Sequence, residues 1–164
     1  MRIPAIVGVC VLLSSAAWAQ APAGQTPLPQ TDPTRLGYLS ATDLAAALSK
    51  LGTDRPASSV RVFALAPYRV SVEHLTSQPQ IAAIHEAEAE LFYVISGSAT
   101  MITGGELIEP TRNGTNLLSK GITGGTAQKI STGDFVFVPP GLPHVLTDVQ
   151  GVLDQMSLHL PMPK

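Results

Sequence analysis

From Val60 onward, apolar residues alternate with polar ones in short runs that are broken by Gly, Pro, Ser and Thr, the pattern of half-buried strands in a barrel or sandwich. The alternation predicts strands near Arg61–Leu65, Tyr68–Leu75, Ile81–His85, Glu90–Ser96, Ser98–Thr103, Gln128–Ile130, Asp134–Pro139, His144–Thr147 and Val152–Leu160. In Phe135–Val138 both faces are apolar, as expected when one lines a barrel and the other packs on a second sheet or subunit. Ahead of this region the period changes. Ser40 with Asp43 three residues on forms a capping-box-like start, Leu44, Leu48 and Leu51 share one helical face, and Gly52 can end the turn, so a short helix is expected there. It reads as a lid or brace on the barrel or across a dimer interface.

Three other segments fall outside the strand pattern. Residues 1–19 read as an export signal: Arg2 supplies a positive start, Ile3 to Leu13 an apolar stretch too short to span a bilayer, and Ala17-Trp18-Ala19 a small-x-small cleavage site before Gln20. Residues 20–34 include APAGQTPLPQTDP, four prolines among small and polar residues without apolar period, and read as a mobile, extended linker. Residues 35–59 would form the helical extension and 60–164 the β domain. From Gly104 to Ala127 a glycine-rich stretch, bordered by Ile-Thr-Gly-Gly copies beginning at Ile102 and Ile122, forms an excursion that either caps a barrel mouth or is a surface hairpin.

Composition changes the picture in two ways. Cys10 and Trp18, the only Cys and Trp of the 164 residues, both lie in the leader; an exported chain without cysteine must be stabilised by its core rather than by disulfides, which suits a periplasmic or secreted domain. Without Arg2, nine Lys plus Arg face twelve Asp plus Glu. No basic patch or charge run suggests nucleic acid, and no second apolar run suggests a membrane after cleavage.

Two stretches carry candidate chemistry. His85-Glu86-Ala87-Glu88-Ala89-Glu90 leads into the apolar strand ending at Gly97, and Gly133 to Pro140 runs through Gly141-Leu142-Pro143 to His144. Together they supply imidazole, carboxylate and imidazole, a set favoured by non-haem iron and related divalent ions. Side chains five apart on an unbroken strand face opposite ways, so His85 and Glu90 converge only if Glu86 to Ala89 form a turn or bulge. Three prolines around Gly141 would hold His144 rigidly.

Both stretches resemble the two motifs of the cupin superfamily, G-x5-H-x-H-x(3,4)-E-x6-G and G-x5-P-x-G-x2-H-x3-N. Gly133, Pro139, Gly141 and His144 match the second, with Asp148 in place of the final Asn. His85, Glu90 and Gly97 match the first, whereas Ser77 replaces its leading Gly and Ala83 its first His. The resemblance, over residues 60 to 161, implies an all-β double-stranded β-helix or jelly-roll barrel, with a tendency to form homodimers. It implies His85, Glu90 and His144 as ligands of a divalent metal, Fe2+ before Mn2+, Zn2+, Ni2+ or Cu2+. His159 falls where cupins often place a residue projecting toward the pocket, and it is expected to act as a catalytic or supporting group rather than a direct ligand. His74 is expected in solvent at a strand end, although its parity with Val70 and Val72 allows an inward position. Glu86 and Glu88 are expected to be solvated, and Tyr93 to serve in barrel packing or an interface.

The leading expectation is an exported metal-binding cupin acting on a small organic molecule, by dioxygenation or by isomerase or lyase chemistry. The alternative is a metal-free, non-catalytic barrel that binds a small molecule. A structural or assembly role rests only on the proline-rich leader and the tendency to dimerise.

Overall fold

The structure, a computed structural model, describes residues 25–26 and 31–163. In chain order its elements are β1 (Gln25–Thr26), α1 (Ala41–Leu48), β2 (Ala57–Leu65), β3 (Tyr68–Thr76), β4 (Ala82–His85), β5 (Glu88–Ser96) and β6 (Ser98–Thr103). There follow β7 (Glu106–Leu107), β8 (Thr111–Asn113), β9 (Asn116–Ser119), β10 (Ile122–Thr123) and β11 (Thr126–Ser131). The last are β12 (Phe135–Val138), β13 (His144–Thr147) and β14 (Val152–Pro161). The expected export signal lies outside the described residues.

Two six-stranded sheets make the domain, in the orders β1-β2-β3-β14-β5-β12 and β11-β6-β13-β4-β9-β8, with β7 and β10 forming a small separate ladder. Apart from the parallel contact of β1 with β2, the pairings are antiparallel. Consecutive strands β4 and β5 lie in different sheets, as do β12 and β13, so the chain crosses repeatedly between layers, a jelly-roll arrangement. Alternating side chains from both sheets fill the space between them: Leu75, Phe92, Val94, Met101, Val138 and Leu153 belong to one buried cluster.

Helix α1 starts where expected. Ser40 is its N-cap, its hydroxyl accepting the Asp43 backbone N–H at 3.0 Å. The helix buries no residue fully and stops at Leu48, ahead of Gly52. The proline-rich stretch is not wholly free. Gln25–Thr26 runs parallel to β2 opposite Ser59 and Val60, and the Thr31 backbone N–H donates to the Ala64 carbonyl at 3.1 Å, because the edge of β2 offers unpaired backbone groups.

The glycine-rich excursion also acquires order. Its β9 pairs with β4 from Ala82–Ser119 to His85–Asn116, extending the second sheet, and β8 closes it as a hairpin. Of the two expectations, the hairpin describes β8 and β9, which are integral to the sheet. In β12 the inward residues Val136 and Val138 pack on the core. Phe135 and Phe137 point outward and are 69% and 58% exposed, so no second sheet among the described residues covers them.

Candidate metal centre

His85 ends β4 and Glu90 is the third residue of β5, with a tight turn at Glu86–Ala87 between them. The sequence placed the break across Glu86 to Ala89; β5 already includes Glu88 and Ala89. The convergence has a tertiary cause, since β4 and β5 belong to facing sheets and both side chains point into the space between. His144 opens β13, directly opposite Ala83 of β4. Its preceding turn is pinned to the first motif: Gly141, at φ 78°, donates its N–H to the His85 carbonyl at 2.9 Å, and the Pro143 carbonyl accepts the Gly104 N–H at 2.9 Å. The two sequence motifs are thereby held as one unit.

The geometry of the group is specific. His85 Nε2 lies 3.3 Å and His144 Nε2 3.5 Å from the same oxygen, Glu90 Oε2. On the far side of each ring, Nδ1 faces an acceptor: Asn116 Oδ1 at 2.9 Å for His85 and the Leu142 carbonyl at 3.1 Å for His144. Nδ1–H must donate to those acceptors, which leaves the Nε2 lone pairs of neutral rings aimed at a carboxylate oxygen. Lone pairs facing one another require a cation or a proton between them. The residues fit a divalent metal ion, and His85, Glu90 and His144 are the described residues whose ligand atoms gather in this way, within 4.8 Å of one another.

The other carboxylate oxygen of Glu90 is held separately. Ser157 Oγ, fully buried on β14, donates to Oε1 at 2.6 Å, and His159 Nε2 lies 3.1 Å from it. Burial opposes the ionised form of Glu90, but hydrogen bonds with His144, His159 and His85 prevail and hold its carboxyl far below the usual carboxylate range. At His85, burial disfavours the imidazolium; the hydrogen bonds to Glu90 and Asn116 and the charges of Glu90 and Glu88 outweigh it, so the proton affinity of the ring rises.

His159 therefore reaches the group from β14, against the oxygen of Glu90 that turns away from His85 and His144. Its Nδ1 lies 2.9 Å from Glu88 Oε1 and 3.0 Å from Arg69 Nη2, while Arg69 Nη2 donates to Glu88 Oε1 at 2.6 Å. Glu88 is thus not solvated as expected. It opens β5 and is drawn inward by Arg69 and His159. Glu86 does match the expectation, being exposed and paired with Arg112 at 2.7 Å. His74 corrects another expectation. It is half-buried on β3, with Nδ1 2.7 Å from Asp154 Oδ1, and it points away from the cavity because Glu73 and Leu75 on either side of it point in. Tyr93 packs its ring 4.7 Å from that of Phe135 on the outer face.

A cavity of about 490 Å³ opens beside the group. Its wall includes Ala83 as well as His85, Glu90, His144 and His159, and on the far side Glu73 and Gln155. Sequence reasoning missed these last two and also Asn116 and Ser157. Glu73 and Gln155 stand opposite each other on β3 and β14; a Glu within a β-rich run was the one available signal.

No family model matches the sequence, and no curated protein matches it. Among solved structures, the Schizosaccharomyces pombe Cnp3 cupin domain superposes with a TM-score of 0.50 at 9% identity, over 70% of this chain and 67% of that one. TT1209 from Thermus thermophilus gives 0.49 at 17% identity (71% and 95% covered), and ectoine synthase from P. lautus 0.49 at 12% (68% and 69%). The chain has the cupin fold. At 9% identity the likeness to the Cnp3 domain speaks for the fold alone, and function follows from the site.

Proposed function

We propose that this is an exported cupin that holds a divalent metal ion on His85, Glu90 and His144 and acts on a small organic molecule in the adjoining cavity. The observation that carries the reading is the convergence of His85 Nε2 and His144 Nε2 on Glu90 Oε2, with both rings turned by acceptors on their Nδ1 sides. A two-histidine, one-carboxylate face suits Fe2+ first, and when bound such an ion would act as a Lewis acid with open positions for substrate, serving oxygenation or isomerase and lyase chemistry. Asn116 and the Leu142 carbonyl would orient the imidazoles. Ser157 and His159 would fix the carboxylate, and His159, backed by Glu88 and Arg69, is placed to hold a proton at Nε2 beside the group. The leader-like residues 1–19 support export to the periplasm, and the exposed Phe135 and Phe137 support a homodimer.

A second reading has its own observation. The raised proton affinity of His85 allows a proton rather than a metal ion to satisfy Glu90, and Ala83 contributes no fourth ligand. The protein would then be a non-catalytic barrel for a small molecule. Elemental analysis of protein recovered from the periplasm decides between them. The metal reading expects close to one divalent ion per chain, lost in His144→Ala and retained in His74→Ala. Metal-free wild-type protein would establish the second reading. Oxygen uptake with phenols, diketones and sugar acids then tests the chemistry.

A further inference from the structure

The wall of the cavity away from the metal-ligand group carries a second carboxylate, Glu73. Glu73 lies on β3 with Oε2 accepting one hydrogen bond, from Gln155 Nε2 at 2.9 Å. Glu73 is half-buried and lines the cavity. Gln155, which donates that bond, is 1% exposed, and its Oε1 is itself buried, without a hydrogen-bond partner among the described residues. Gln80, also on the cavity wall, places its amide nitrogen 2.8–2.9 Å from the backbone carbonyls of Pro56, Thr76 and Gln78. Among the described residues, Glu73 and Glu90 are the two carboxylates of the cavity wall.

Nothing opposite them is a fixed cation. Among the described residues no Lys or Arg lines the cavity, and no ion pair involves Glu73. Arg61 is on the same face of β2, two residues beyond Ser59, which stands opposite Glu73, but it is not part of the cavity wall. The other charged or titratable groups toward Glu73 are Glu90, His159 and His144. Glu90 is already served by Ser157 and three imidazoles. A carboxylate enclosed with one neutral donor is costly unless it keeps a proton or meets a cation. Burial and the charge of Glu90 accordingly push Glu73 up to about 7, although Gln155, His159 and His144 pull the other way.

The geometry points to Glu73 as the anchor for a protonated amine: the cavity takes a small molecule whose ammonium group sits against the Glu73 carboxylate. The remaining wall, from Leu75, Ile81, Phe92, Met101 and Leu146, is apolar and suits a hydrocarbon or aromatic body. This names the substrate class of the cavity described above and rests on that reading only in taking the cavity as the substrate site.

Isothermal titration of the full mature chain with benzylamine and with its neutral counterpart benzyl alcohol tests it, at about pH 8, where Glu73 is largely ionised and the amine protonated. Benzylamine is expected to bind at least about tenfold more tightly, the scale of one charge-assisted hydrogen bond. Glu73→Gln should remove that preference and leave benzyl alcohol unchanged, which also reports that the variant is folded. The preference should survive in His144→Ala. Equal affinities, no binding of benzylamine, a preference untouched by Glu73→Gln, or one abolished by His144→Ala would each overturn the assignment. A surviving preference in wild-type protein that binds no metal would sink the metal reading alone.

Discussion

Residue 83 shows how much one side chain decides. Ala83 lines the cavity and stands directly opposite His144 across the β4–β13 pair, two residues from His85 on the same face. In Ala83→His a third imidazole would enter the group, and metal affinity should rise by about tenfold or more while any native activity falls, because a filled coordination position is closed to substrate. Competition with a chromogenic chelator, read beside turnover, checks both effects. Glu73 makes a prediction of opposite sense. Its carboxyl binds a proton more tightly in the folded chain than in the unfolded one, the pKa rising from 4.5 to about 7. As pH climbs through that window the unfolded chain releases the proton first, so Glu73 lowers stability progressively, by up to about 3 kcal/mol at neutral pH and above. Glu73→Gln should therefore match wild type near pH 4.5 and melt at higher temperature near pH 8. An unchanged difference between the two melting curves across this range would show that Glu73 titrates normally.

At the scale of elements, β14 organises the site. Its inward residues Leu153, Gln155, Ser157 and His159 run from the core to the cavity, meeting Glu73 of β3 on one side and Glu90 of β5 on the other. Gly97, in the tight connection between β5 and β6, lies where β14 begins. With φ at 88°, a β-carbon there would press into the Val152 carbonyl. Gly97→Ala thus forces an unfavourable backbone region and a backbone clash together, and should cost at least about 1–2 kcal/mol. Urea unfolding reads the loss. Because Val152 leads into β14, the same variant should weaken metal retention, an effect absent if β5 and β14 position their residues independently.

For the whole molecule, the outer face of the first sheet is where assembly would occur. Phe135 and Phe137 are exposed with Tyr93 beside them, an apolar patch that soluble monomers seldom leave uncovered when it is large. Replacing both phenylalanines by Ser should shift the sedimentation coefficient from dimer to monomer without disturbing the cavity behind them. A wild-type protein that already sediments as a monomer would dispose of the homodimer. The β-rich domain, its strand positions outside the glycine-rich excursion and three ligand candidates were legible from the sequence, since alternation reports which face of a strand is buried and the Gly and Pro residues mark the turns; the strands from β7 to β10 were not. His85, Glu90 and His144 were readable because each stands in a short spaced motif. Glu73, Gln155, Ser157 and Asn116 were not, because each takes its place through a cross-strand partner distant in sequence: Gln155 for Glu73, Glu90 for Ser157, His85 for Asn116. His74 and Glu88 were misplaced for the same reason, as Asp154 and the Arg69–His159 pair draw them from solvent. The local pattern determined which segments are strands and which histidines begin or end them; only the pairing of strands across two sheets decided what those side chains face, because that pairing joins residues that no local spacing relates.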